Sequence, residues 1–150
     1  MHNSRGSIAS CLRAIHEQRS LDSSKPEIIV VDDGSSDGSA AEAKGLCDRL
    51  IRLDKNSGAA VARNRGAAEA SAELLVFVDS DVILLPDALG KVRELFVRRP
   101  DTDAAVGRYT ETPARAGLVN AYHNSFTRFH HDLSPEEIDW FWGALGAVKR

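Results

Sequence analysis

Three short segments of this 150-residue chain hold residue types that can do chemistry at the spacings where they stand. In Asp79-Ser80-Asp81 two carboxylates lie two residues apart. At the end of a strand both can reach one hard cation while the residue between them turns away. A Mg²⁺ or Mn²⁺ ion held by one or two carboxylates completes its shell with water and substrate phosphates. There it offsets the charge that builds on a departing phosphate group. The same triplet also serves as a turn or helix start with no metal.

The second segment is Asp32-Asp33-Gly34-Ser35. A carboxylate placed there can accept hydrogen bonds from the N–H of a base or from ribose hydroxyls, and Gly34 permits a sharp backbone turn. A simple Asp-Gly turn is the plainer alternative. The third runs from Asn56-Ser57-Gly58 to Arg63-Asn64-Arg65-Gly66. An arginine at the ligand end of a sheet can pair with diphosphate oxygens, which suits Arg63, whereas Arg65 reads as a solvated helix residue.

Positioning these groups falls to elements whose patterns are readable. Ile8, Leu12 and Ile15 recur at helical spacing and predict a first amphipathic helix. Glu27–Val31 is a short, β-branched apolar run suited to a strand buried on both faces. A helix is expected over 39–49, a second strand over 50–53 and an Ala-rich helix over 58–70. Leu74–Val78 is a third buried strand, and a helix follows Pro86-Asp87 with apolar positions Leu89, Val92, Leu95 and Phe96. Ala104–Gly107 reads as a further strand. Strands alternating with helices predict an α/β sandwich with a mostly parallel sheet, in which ligands gather at the carboxyl ends of strands. Two of the three strongest strands end there in aspartates.

Beyond Gly107 the pattern thins. Leu118, Tyr122, Phe126 and Phe129 share one helix face. Ser134-Pro135-Glu136-Glu137 has the form of a capping box with proline at the first helical position, and Trp140-Phe141-Trp142-Gly143 is an aromatic cluster. The net charge of −3 gives no basic face for nucleic acid. No apolar leader opens the chain, and its longest apolar run, Leu74–Val78, has strand length, so membrane association is not visible. Cys11 and Cys47 stand at no metal-ligand spacing and read as small buried residues of a reducing compartment. The expected location is the cytoplasm, with the inner face of a membrane as a variant.

In order, Val31-Asp-Asp-Gly-Ser35, Asn56-x-Gly58 with Ala62-Arg63-Asn64-x-Gly66, and Phe77-Val-Asp-Ser-Asp81 closely resemble the family-two glycosyltransferases. Leu85-Pro86-Asp87-Ala88-Leu89 matches that family's usual continuation. The resemblance implies an incomplete GT-A fold and an enzyme that transfers a sugar from a nucleotide-diphosphate donor with inversion, dependent on Mn²⁺ or Mg²⁺. It implies that Asp33 contacts the nucleobase, that Arg63 lies near base and diphosphate, and that Asp79 approaches the ribose or the metal's water shell. Asp81 would bind the cation directly. Asp32 matches the motif as much as a structural residue as a ligand. A UDP-sugar is the favoured donor; the acceptor is not indicated.

The resemblance also marks departures. The family opens with an apolar strand ending in a Tyr-Asn or similar pair, whereas here Asn3 stands in the asparagine's place without that strand before it. The strand belongs in the middle of the sheet, so its neighbours are expected to keep unpaired backbone groups beside an open groove. Gly143–Arg150 resembles the glycine-rich acceptor-side segment, which is normally followed by a helix carrying the general base that inversion requires. Asp132, Glu136, Glu137 and Asp139 do not match that position, and the base is expected beyond residue 150. His123, His130 and His131 read as solvent-exposed residues. The chain is thus one partial domain over 1–150, a donor half to about 107 followed by the start of the acceptor half. Two other readings compete: a nucleotide-sugar-binding fragment without turnover, and a haloacid-dehalogenase-type phosphatase with Asp79 as nucleophile. The phosphatase needs acidic and lysine motifs downstream, and Asp32-Asp33 lies upstream.

Overall fold

The computed structural model describes residues 1–18, 25–110, 116–135 and 144–150. Its elements are α1 (Ile8–His16), β1 (Ile29–Asp32), α2 (Ser39–Ala43), β2 (Arg49–Arg52), α3 (Ala59–Glu69), β3 (Leu74–Val78), α4 (Ala88–Arg98), β4 (Ala104–Val106), α5 (Leu118–Leu133) and β5 (Leu145–Lys149). β1 pairs in parallel with β2, Ile29 opposite Arg49 through Asp32 opposite Arg52. β5 lies between β3 and β4 and runs antiparallel to both.

The α/β architecture expected from the alternating patterns is present, and three layers follow from the two faces of β1. Ile28 and Val30 join Ile8 and Leu12 of α1 and Ala43 of α2 in one buried cluster. Val31 points the other way, so close to α3 that a Cβ on Gly66 would lie 3.4 Å from its Cγ2. Burying the larger aliphatic side chains of such a cluster stabilises by about 1.5–3 kcal/mol each. β1 is therefore covered on both sides, as its unbroken apolar run requires.

Two elements differ from expectation. The helix expected over 39–49 stops at Ala43, because Gly45 takes a left-handed φ of +87° and the chain turns there. β5 has no counterpart among the expected elements. Its residues, Leu145-Gly-Ala-Val-Lys149, carry little intrinsic strand preference and become a strand by pairing with neighbours on both sides. α5 forms where one apolar face was expected, yet that face is open among the described residues: Leu118, Tyr122, Phe126 and Phe129 are 90, 69, 50 and 58% exposed. Ser134 closes α5, its hydroxyl donating to the His130 carbonyl at 2.9 Å. Glu136, Glu137, Asp139 and the cluster Trp140–Gly143 lie outside the described residues. Cys11 is buried and Cys47 half-buried, and both are free thiols. No helix among the described residues is long and apolar enough to cross a membrane.

Candidate functional site

The predicted site residues converge where β1 and β3 end. β1 runs directly into Asp32 and Asp33, and these two carboxylates turn out to be the most enclosed in the site. Asp32 is fully buried. One of its oxygens accepts from the Ser35 amide at 3.0 Å and the other from Arg52 Nε at 3.1 Å. Asp32 thus closes its own turn and ties it to β2.

Asp33, 3% exposed, accepts from the amides of Ser57 at 2.7 Å and Gly58 at 2.8 Å, one on each oxygen. Gly34 completes the junction with a φ of +69°, and a Cβ there would sit 2.7 Å from the Lys55 carbonyl carbon. Only glycine fits a left-handed turn pressed against backbone in this way. The Asp33-Gly34 corner therefore clamps the 55–58 loop at the entrance to α3. The resemblance implies a nucleobase contact for Asp33; the geometry shows both of its oxygens engaged with that loop.

α3 then carries Arg63 across to β3, where its guanidinium donates to Asp79 Oδ1 at 2.6 Å. Both partners are partly exposed, at 33 and 43%, so the pair can be reached and rearranged by a ligand. Asp79 is held from behind by its own backbone, with its amide donating to the Ala144 carbonyl at 3.0 Å. Ser80 and Asp81 form a turn after β3, closed by the Val82 amide donating to the Asp79 carbonyl at 3.0 Å, and the Ser80 hydroxyl shares a 2.7 Å hydrogen bond with Ser4. Asp81 is exposed. Asp33, Arg63, Asp79 and Asp81 thus line one rim, with Asp32 buried beneath it.

Three further residues shape this rim without a strong signal in the sequence. His2 Nδ1 contacts the Asp33 carbonyl at 2.7 Å. Asn3, at a left-handed φ of 47°, exchanges hydrogen bonds of 3.0 Å with Ser35 and Ser36. The Ser4 amide also donates to the Ser39 hydroxyl oxygen at 2.7 Å. Their types are common in loops, and of the three only Asn3, in the place of the family's asparagine, was marked in the sequence. Cys11 lies just beneath, its thiol directed to the Asp79 carbonyl at 3.6 Å. Burial, with the nearby Asp81 and Asp79 charges, pushes its pKa up to about 11.

The donor set can be tested against a divalent cation. No group of three or more His, Cys, Asp or Glu side chains converges among the described residues. Two oxygen ligands at a solvent-open rim suit Mg²⁺ or Mn²⁺, ions that keep several waters and share phosphate oxygens, and do not suit an all-protein cage. His130 and His131 sit on α5, where His131 stacks edge-on against Tyr109, apart from these carboxylates.

The sequence profile of glycosyl transferase family 2 matches residues 1–145. An uncharacterized glycosyltransferase of Haemophilus influenzae is 28% identical over 138 residues, covering 91% of this chain and 43% of that protein. The succinoglycan biosynthesis protein ExoO of Rhizobium meliloti is 35% identical over 91 residues, 59% of this chain and 26% of its own length. Among solved structures, the mannosyltransferase PcManGT of Pyrobaculum calidifontis, in complex with GDP-Man and Mn²⁺, superposes with a TM-score of 0.70 at 22% identity, covering 100% of this chain and 42% of that one. Glucosyl-3-phosphoglycerate synthase of Mycobacterium tuberculosis, in complex with UDP, gives 0.63 at 20% identity, covering 99 and 54%. This chain spans less than half the length of those two curated relatives. The phosphatase reading falls with these matches, since the acidic motif after β3 comes with the upstream motif of a different family. The chain belongs to glycosyl transferase family 2 and has the GT-A fold.

Proposed function

We propose that this chain is the donor-binding part of an inverting glycosyltransferase, taking a nucleotide-diphosphate sugar together with Mn²⁺ or Mg²⁺. Residues 1–107 form the donor half and residues from 108 begin the acceptor half. The observation that carries the reading is the Arg63–Asp79 pair beside Asp81 at the end of β3. It sets one cation, one carboxylate that can accept ribose hydroxyls and one exposed carboxylate on a single rim. Asp81 and Asp79 would hold the metal, which when bound supplies positive charge against the departing nucleoside diphosphate. Arg63 would release Asp79 in part and turn its N–H fork toward diphosphate oxygens, for which a guanidinium is geometrically suited.

Asp33 supports the base pocket by fixing the 55–58 loop, and Asp32 holds the turn beneath it. UDP is the favoured nucleotide, and the P. calidifontis neighbour's GDP-Man makes GDP the first competitor. The general base is assigned to no residue of this chain, and the acceptor stays open.

Calorimetric titration with UDP and with GDP, each with and without Mn²⁺, tests the reading. Saturable binding to one nucleotide is expected, strengthened by Mn²⁺. In Asp81→Ala the metal's contribution should vanish, a loss of about tenfold or more in affinity from one removed charged ligand. Asp101→Ala, in an exposed turn after α4, should bind as the parent does. Metal-independent binding in the parent, or equal losses in both variants, would refute the assignment of Asp81.

A further inference from the structure

The middle residue of Asp79-Ser80-Asp81 carries no charge, yet its side chain has a definite partner. Ser80 Oγ lies 2.7 Å from Ser4 Oγ, across 76 positions of sequence. Both serines are half-buried.

Ser4 is itself held from several sides. Its amide donates to Ser39 Oγ at 2.7 Å, and its carbonyl accepts from the Ser7 and Ile8 amides at 3.1 Å each, at the foot of α1. Ser39 is fully buried, and its hydroxyl donates to Asp37. Asp37 also accepts from the Ser39 amide at 2.9 Å and the Arg5 amide at 2.8 Å. A serine hydroxyl has one proton and two lone pairs. With its proton on Asp37, Ser39 can only accept from Ser4. The Ser4 hydroxyl donates to the His2 carbonyl at 3.3 Å, so it accepts from Ser80. Each proton from Ser80 back to Asp37 thus has one direction.

The turn over 79–82 meets this anchor at its centre. Its first residue is fixed by the Asp79 amide on the Ala144 carbonyl at 3.0 Å and by the Cys11 thiol on the Asp79 carbonyl at 3.6 Å. Just beyond its last residue, Leu84 is buried. Ser80 and Asp81 are the two central residues, so the Ser80 side chain steadies the segment from which Asp81 projects. Asp81 is exposed, and the turn's backbone sets where its carboxylate can stand. Holding a ligand in place beforehand removes an ordering cost from binding.

We propose that Ser4 is a positioning residue for the cation site: through Ser80 it holds the 79–82 turn, and Asp81 with it, in the geometry that takes the metal. The inference rests on the donor-site reading, in which Asp79 and Asp81 hold the cation. It adds to that reading the group behind the carboxylates, as partners behind metal ligands orient them elsewhere. Acting through Ser80, Ser4 changes what the metal adds to nucleotide binding and leaves the metal-free affinity as it is.

The test measures UDP and GDP affinity of the whole chain, with and without Mn²⁺, in the parent, Ser4→Ala, Ser80→Ala and the double variant. Loss of one hydrogen bond should cut the enhancement by Mn²⁺ about two- to tenfold in each single variant, with metal-free affinity unchanged. The double variant should lose no more than Ser4→Ala, because the two hydroxyls act as one contact. Ser4→Thr keeps the hydroxyl and should restore the enhancement. Ser71→Ala removes a hydroxyl that donates to Glu27 at 2.9 Å, ahead of β3, and should behave as the parent. Without any ligand, hydrogen exchange should quicken in both single variants at Val82, whose amide closes the turn on the Asp79 carbonyl. Full Mn²⁺ enhancement in Ser4→Ala, additive losses in the double variant, or an equal fall in metal-free affinity would overturn the proposal and leave the donor reading standing. A parent that binds nucleotide with no Mn²⁺ enhancement would overturn the donor reading, and this inference with it.

Discussion

Replacing Asp33 by alanine isolates the clamp between β1 and the loop that opens α3. The carboxylate is 3% exposed and accepts one backbone amide on each oxygen, from Ser57 and Gly58. A hydrogen bond to a charged group contributes about 1.5–3 kcal/mol, so the pair sets an upper bound of about 3–6 kcal/mol. Two effects reduce it. Ser57 and Gly58 are exposed, so their amides can turn to water and not remain as buried unsatisfied donors. Removing a buried carboxylate next to Asp32 also recovers part of its desolvation cost. The expected net loss is about 2–3 kcal/mol, with order lost first in the loop. For a chain of this size each kcal/mol lowers Tm by about 2–4 °C, so thermal unfolding should move down by about 5–10 °C. Hydrogen exchange at Ser57 and Gly58 should quicken well beyond the global change. Asp33→Asn retains one acceptor but sets its NH₂ against the other amide, so it should recover little. An unchanged Tm with unchanged exchange at Ser57 and Gly58 would refute the clamp.

Two other perturbations reach different parts of the molecule. Asp37 accepts from the hydroxyl and amide of Ser39 and from the Arg5 amide, and these bonds lower its pKa to about 2 from the usual 3.8. Because the folded value is depressed, its contribution is complete above the unfolded pKa and fades as pH falls from about 3.8 toward 2. In Asp37→Asn the Tm-versus-pH curve should lose the part of its acid slope in that window, and an unaltered slope would count against these bonds. Cys11, raised to about 11, should carry only about 0.1% thiolate at pH 8 and react with a disulfide reagent after the more exposed Cys47. Mass spectrometry of partly modified chain reads that order directly, and early labelling of Cys11 would contradict its burial.

The fold was legible where one physical rule decided an element. Leu74–Val78 is a strand with the expected bounds because five apolar residues between polar ends leave no other buried option. The expected helix past Ala43 failed because Gly45 stands inside an otherwise permissive pattern, and a left-handed turn won. β5 could not be read, since Gly146 and Ala147 become a strand only when two edges more than 35 residues away are already there. In the site, the types and order of Asp32, Asp33, Arg63, Asp79 and Asp81 pointed to the ends of β1 and β3; Asp33, Arg63, Asp79 and Asp81 line one rim there and Asp32 lies buried beneath it. The division of labour among them was not written locally. Which carboxylate is saturated by amides and which stays open depends on how the 55–58 loop returns to Asp33, a long-range contact.

The place of β5 also bears on how the chain acquires its structure. Leu74 pairs with Lys149 and Ala104 with Val148, so both ladders on this side close only after residues 145–149 have been made. Closing a loop of roughly 75 residues carries an entropic cost that must be met before its contacts form, and such non-local pairing slows folding. Until residues 145–149 leave the ribosome, the five apolar residues of β3 have no described ladder to join. That interval is the one in which a nascent copy would associate with another through this segment. Slower elongation between β3 and β5 would lengthen the exposure. A chaperone that engages short apolar stretches would shield β3 until β5 arrives.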